Sequence, residues 1–110
     1  MAKGDNLGEF EVLILSSLSI LGENAYGMTI HEKIEELGER TVSLGAVYTT
    51  LDRLEQKGFA KSWFSDPTPE RGGRAKRYFE ITASGKRALN AAARVANNVV
   101  NGLREIGGLA

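Results

Sequence analysis

Residues 43–81 read SLGAVYTTLDRLEQKGFAKSWFSDPTPERGGRAKRYFEI, and along them the hydrophobic period switches from helical to alternating. Ser43 is suited to cap a helix, Leu44, Val47, Leu51 and Leu54 recur on one helical face, and Gly58 closes the segment. Residues 59–65 are rich in aromatic side chains and too few for a helix, which predicts a strand. Residues 66–73 form the turn cluster of the chain and hold both of its prolines. Residues 75–81 then read as a second strand, with Arg77, Phe79 and Ile81 on one face. A helix followed by a long-tipped hairpin is the expectation.

Upstream, residues 1–6 read as a polar arm, and Asn6 with Glu9 three residues on makes a capping box. Leu7, Phe10, Leu13, Ile14, Ser17, Leu18 and Leu21 follow at helical spacing, and Gly22 is a stop. A short turn leads to a second helical stripe, Ile30, Ile34 and Leu37, which Gly38 ends. Downstream of the hairpin, Thr82 caps a last helix that runs to about Ile106. Its apolar positions Leu89, Ala92, Ala96, Val99, Leu103 and Ile106 step by three and four alternately, an a/d heptad seam. Arg94, Asn97, Asn98, Asn101 and Arg104 surround it, so the seam asks for a partner helix and predicts a homodimer. A terminal helix lying on its own domain is the other reading.

The order helix, helix, helix, strand, tip, strand, helix predicts a mainly α fold with a small β-hairpin. It is the layout of a winged helix-turn-helix over residues 1–81, with a C-terminal dimerisation helix over 82–110. The 110 residues suffice for one modest core, and no apolar run approaches the ~20 residues of a membrane span. With no cysteine and no signal peptide at its start, the chain is expected in the cytoplasm, away from membranes. Formal net charge is zero, which weighs against a nucleic-acid partner. The charges are segregated, however. Arg71, Arg74, Lys76 and Arg77 stand together without an acidic residue, while Glu32, Glu35, Glu36 and Glu39 lie in and after the second helix.

In such a layout the third helix enters the major groove with its N-terminal residues nearest the bases. Helical arithmetic turns Gly45, Ala46, Thr49, Asp52, Arg53 and Gln56 outward, with Tyr48 at the border. Small residues at 45 and 46 permit close approach, Tyr48 and Thr49 suit phosphates or base edges, and Arg53 suits a phosphate or a guanine. Asp52 is out of place beside phosphates unless it meets a cytosine or orients Arg53. The DNA-contacting set is therefore Ser43, Gly45, Tyr48, Thr49 and Arg53 on the helix, with Arg71, Arg74, Lys76 and Arg77 on the wing. A solvated helix face, and a winged-helix protein-interaction module that does not bind DNA, both remain open on these residues alone.

Nothing points to an enzyme, a cofactor or a metal. His31 has glutamate, not histidine, four residues on, and reads as a surface residue. No cysteine nucleophile and no phosphate-cradling Gly-Lys-Ser/Thr loop occur. Trp63 either fixes the wing against the helices or lines a small-molecule pocket.

These motifs together resemble the PadR family of bacterial regulators. Residues 43–55 are similar to its Ser-x-Gly-Thr-Leu-Tyr-Pro-x-Leu-x-Arg-Leu-Glu signature, and residues 73–82 to its Gly-Arg-Pro-Arg-Lys-Tyr-Tyr-x-Leu-Thr wing. Residues 25–30 resemble the Tyr-Gly-Tyr-x-Ile start of its second helix, and Leu7-Gly8 onward its first helix. The likeness spans roughly residues 7–89, and the short C-terminal region resembles the subgroup with a single dimerisation helix. It implies a dimeric repressor on a palindromic double-stranded DNA operator, often released by a small-molecule effector. The departures are Met28 for Tyr, Ala46 for Thr, Thr49 for Pro and Ala75 for Pro. Two of them, at 46 and 49, fall on the reading face.

Overall fold

The computed structural model describes residues 6–65 and 75–108. The arm before Asn6 and the wing tip, with Arg71 and Arg74, lie outside the described residues. Four α-helices and one antiparallel hairpin follow in the expected order: α1 (Glu9–Leu21), α2 (Gly27–Gly38), α3 (Leu44–Gln56), β1 (Ala60–Phe64), β2 (Arg77–Ile81) and α4 (Ala83–Glu105). A single 3₁₀ turn, Gly22–Asn24, joins α1 to the loop before α2.

Helices α1, α2 and α3 close around Ile14, Leu15, Leu18, Ile30, Ile34, Val47, Leu51 and Leu54, all essentially inaccessible, and β2 adds Phe79. The stripe of α3 is rotated slightly from the expected one. Leu44 is 40% exposed and Thr50 is buried instead, because positions 47, 50, 51 and 54 sit on one face while residue 44 lies a turn short of the core. Leu37 is likewise half-exposed in the last turn of α2, outside the core it was expected to join.

The helix ends show which local signals acted. Ser43 Oγ accepts the Ala46 amide at 3.1 Å and Thr82 Oγ1 accepts the Gly85 amide at 3.0 Å, as their cap positions predict. The box at the start of α1 falls two residues later than expected. Glu11, not Glu9, turns back to take an amide, that of Gly8, at 3.0 Å. Glu9 instead meets Arg40 at 3.0 Å. After α2 the left-handed residue is Glu39, at φ 52°, and Gly38 remains inside the helix. Gly58, at φ 82°, takes the left-handed turn that sends the chain from α3 into β1.

Glu11 also ties α1 to the end of α3. Its carboxylate is 2.8 Å from Lys57 Nζ across 46 residues of chain, and it is buried. Burial alone would push this carboxyl up. The Lys57 hydrogen bond, the Gly8 amide and the charges of Lys57 and Arg53 outweigh it and hold the group below its ordinary value. His31, expected at the surface, is half-buried. Its Nε2 lies 2.7 Å from the Val42 carbonyl, and Glu35 accepts the Val42 amide at 2.9 Å, so the α2–α3 turn is pinned from α2.

The hairpin pairs Ala60 with Ile81, Ser62 with Phe79, Trp63 with Tyr78 and Phe64 with Arg77. Alternation therefore gives it two different faces. Ala60, Ser62, Phe79, Ile81 and Arg77 face the helices, while Lys61, Trp63, Tyr78 and Glu80 face away from α3. The loop before α2 joins the same layer, since Ala25 accepts the Phe79 amide at 3.0 Å and Tyr26 bridges Tyr78.

Helix α4 begins inside this unit and leaves it. Its first turn is wedged under the β1 entrance, where a Cβ on Gly85 would overlap the Phe59 carbonyl oxygen. Ala88 and Leu89 still touch the core. Beyond them the helix projects, which makes the molecule 58 Å long against 32 Å and 21 Å in the other directions. Val99 is 55%, Leu103 37% and Ile106 78% exposed. Among the described residues, no helix is long and apolar enough to cross a membrane.

Candidate nucleic-acid interface

The outer surface of α3 is laid open along its length. Gly45, Ala46, Thr49, Asp52, Arg53 and Gln56 are all exposed, opposite the buried Val47, Leu51 and Leu54. The Ser43 cap holds the first turn, and no atom lies within 4 Å of where a Cβ on Gly45 would stand. The most N-terminal turn of α3 is thus its least obstructed part.

Tyr48 sits deeper than its border position suggested. It is half-buried, its ring centroid is 6.4 Å from that of Phe79, and its hydroxyl lies over Gly27 at the start of α2. Only a glycine leaves room for it there. A groove of about 410 Å³ opens beside this contact, between α2, α3 and the wing, and its lining includes Tyr26, Met28, Tyr48 and Lys76. Lys76 rests with its Nζ 4.0 Å above the Tyr26 ring, a cation–π contact. At the start of α2, Thr29 Oγ1 accepts the Tyr26 amide at 3.0 Å, as in a capping box. Tyr26 and the start of α2 are parts of this surface that the sequence reading left out. The Tyr26-Gly27 pair, with Thr29 three residues after Tyr26, was the available signal.

Arg77 does not stand free on the wing. Its Nη2 is 3.2 Å from Asp52 Oδ1 and 3.0 Å from Glu55 Oε1, and its Nε donates to Ser62 Oγ at 3.2 Å. Its guanidinium carbon also lies 4.8 Å from the Phe79 ring centroid. The partner of Asp52 is thus Arg77 on the wing, where the sequence had suggested Arg53.

Behind the hairpin, on its other face, is a cleft of about 810 Å³. Leu18, Ser19 and Glu23 border it from α1 and the following turn, Trp63, Tyr78 and Glu80 from the hairpin, and Lys86 from α4. Trp63 is 45% exposed and stacks on Tyr78 at 6.3 Å between centroids and 18° between planes. Trp63 thus walls the cleft between the hairpin and the α1 and α4 residues across it.

The fold and this surface together define a winged helix-turn-helix protein whose third helix is presented to solvent. The chain belongs to the PadR-like family of transcriptional regulators, whose family profile matches residues 17–91. Among solved structures it is similar to a PadR family transcription regulator from Clostridium difficile R20291. That similarity has 26% identity and a TM-score of 0.74, and covers 92% of this chain and all of the other. A PadR-like regulator from Bacillus cereus is 22% identical, with a TM-score of 0.72 and coverage of 91% and 92%. The ORC1 protein of Aeropyrum pernix, solved in complex with DNA, is 25% identical with a TM-score of 0.65. That match covers 86% of this chain and 26% of the larger one. No curated protein sequence matches this chain.

Proposed function

We propose that the chain is a cytoplasmic repressor that binds a palindromic DNA operator as a homodimer and is released by a small-molecule effector. The observation that carries the reading is the open first turn of α3, small at Gly45 and Ala46 and followed by exposed Thr49 and Arg53. Gly45 and Thr49 meet base edges, and Arg53 meets a guanine or a phosphate. Ser43, Tyr48 and Lys76 hold backbone phosphates. Arg71 and Arg74 of the tip add to the phosphate contact.

Residues 82–110 supply the dimer through the exposed seam of α4, and the dimer sets half-sites one or more helical turns, each ~34 Å, apart. The effector enters the cleft walled by Trp63 and Tyr78, whose exposed ring faces suit a flat aromatic molecule.

The test is a salt titration of binding to the DNA upstream of the chain's own coding region, against a scrambled duplex, with the mass of the complex recorded. A dimer binding the upstream duplex at least ~10³-fold more tightly, with steep salt dependence on both, is the expected result. Absence of binding to either duplex at low salt would put the protein-interaction module first.

A further inference from the structure

We infer that Arg77 is a positioning residue that locks the wing to the reading helix, and not a phosphate ligand. The inference rests on the DNA-binding reading above and sharpens it. Three of the five N–H donors of a guanidinium are used, on Asp52, Glu55 and Ser62. Ser62 Oγ in turn donates to Glu55 at 2.8 Å, so β1, β2 and α3 meet in one closed network. The side chain is 28% exposed, with its guanidinium carbon 4.8 Å from the Phe79 ring centroid.

Charge decides the role. One cation faces two carboxylates, so the cluster as a whole repels phosphate. An Arg77 that turned to DNA would leave Asp52 and Glu55 uncompensated on or beside the reading face. Nη2 reaches both carboxylates while Nε holds Ser62, and the single nitrogen of a lysine ammonium cannot stand in both places at once. The network fixes the angle between hairpin and α3, and with it the place where the wing meets the backbone relative to the bases that α3 reads. It also accounts for an acidic residue on a DNA-facing helix, since Asp52 is held by the wing.

The experiment uses the full chain and two duplexes, one enriched from a random pool by the wild-type protein and one scrambled. Arg77→Lys keeps the charge and loses the fork. It is expected to lower the preference for the enriched duplex about tenfold with an unchanged salt slope. Arg77→Met is expected to lower the preference as well; the two carboxylates it leaves unpaired also weaken the scrambled duplex, with its salt slope near wild type. A phosphate ligand would behave otherwise: Arg77→Met would leave the ratio of the two affinities unchanged and flatten the slope by about one. That pattern, or an Arg77→Lys variant with wild-type preference, overturns the inference. Should Arg77→Met fail to fold, Arg77→Lys alone decides. Failure of the wild-type chain to bind either duplex would instead remove the DNA-binding reading, and the positioning role with it.

Discussion

Tyr48 occupies the space that a side chain at Gly27 would need: a Cβ there would overlap the tyrosine hydroxyl and lie 2.8 Å from Cζ. The close approach brings the start of α2 against the middle of α3, and the angle between the two helices depends on it. Gly27→Ala should therefore cost on the order of 1–3 kcal/mol, as overpacking at a closed contact does. In a Tyr48→Ala background the added methyl has room, and the same change should cost little. Thermal unfolding of the four proteins in this cycle checks the coupling, and additive losses would show that residues 27 and 48 act independently.

The pair Glu11–Lys57 gives stability a specific pH dependence. The Glu11 carboxyl is held below its ordinary value of 4.5, so its folded-state pKa is lower than its unfolded one. Folding then gains from the ionised form. The gain is complete above about pH 4.5 and is lost as pH falls through the depressed folded value. Glu11→Gln should lower stability at pH 7 by about 2 kcal/mol, the worth of a charged hydrogen bond. It should also lose less than wild type between neutral and acid pH. Denaturant melts at several pH values check both signs, and parallel curves would mean that Glu11 does not titrate in this way.

The regular parts of this fold were legible because they rest on local rules. The caps at Ser43 and Thr82, the left-handed turn at Gly58 and the alternation of Phe79 and Ile81 each follow from a few neighbouring residues. What escaped depends on partners far along the chain. Glu11 was chosen over Glu9 for the first cap by a burial site that Lys57 completes. Leu44 and Leu37 carry the right spacing for a core and miss it because their helices extend past their neighbours. At the interface, helical arithmetic turned the correct residues of α3 outward. It had no means of seeing that Arg77 is drawn back by Asp52 and Glu55, since cation and carboxylates lie 22 to 25 residues apart. A basic run in sequence counts charges, and only the fold shows which of them are already paired.

Gly45 offers a way to separate the reading face from the fold. Nothing stands within 4 Å of a Cβ there, and the residue lies in the first turn of α3. Gly45→Ala should leave stability unchanged or raise it by up to about 1 kcal/mol through helix propensity. Gly45→Gln should be equally well folded and should bind DNA at least tenfold more weakly, because the helix can no longer approach the groove floor. Melting curves and fluorescence-anisotropy titrations on the same samples check the pair. Undiminished DNA affinity in the glutamine variant would place the contact surface elsewhere.

The projecting half of α4 leaves its own core, and an exposed apolar seam there is stabilised by a partner. Val99 and Leu103 make no contribution to the core of their own chain, yet they continue the heptad steps that begin at Leu89 against that core. Most helical stability comes from packing an amphipathic face, so the projecting part of α4 gains most from a partner that covers its apolar stripe. Val99→Glu with Leu103→Glu should therefore abolish self-association, read as a halved mass by light scattering. The hairpin and α1–α3 should keep their fold, read from the near-ultraviolet signal of Trp63 and its neighbours. Operator affinity should fall by several orders of magnitude, since each half-site would then be bound alone, while affinity for scrambled DNA should fall far less. A double variant that stays dimeric would move the interface off this seam, to another surface such as the exposed Ile20 side of α1.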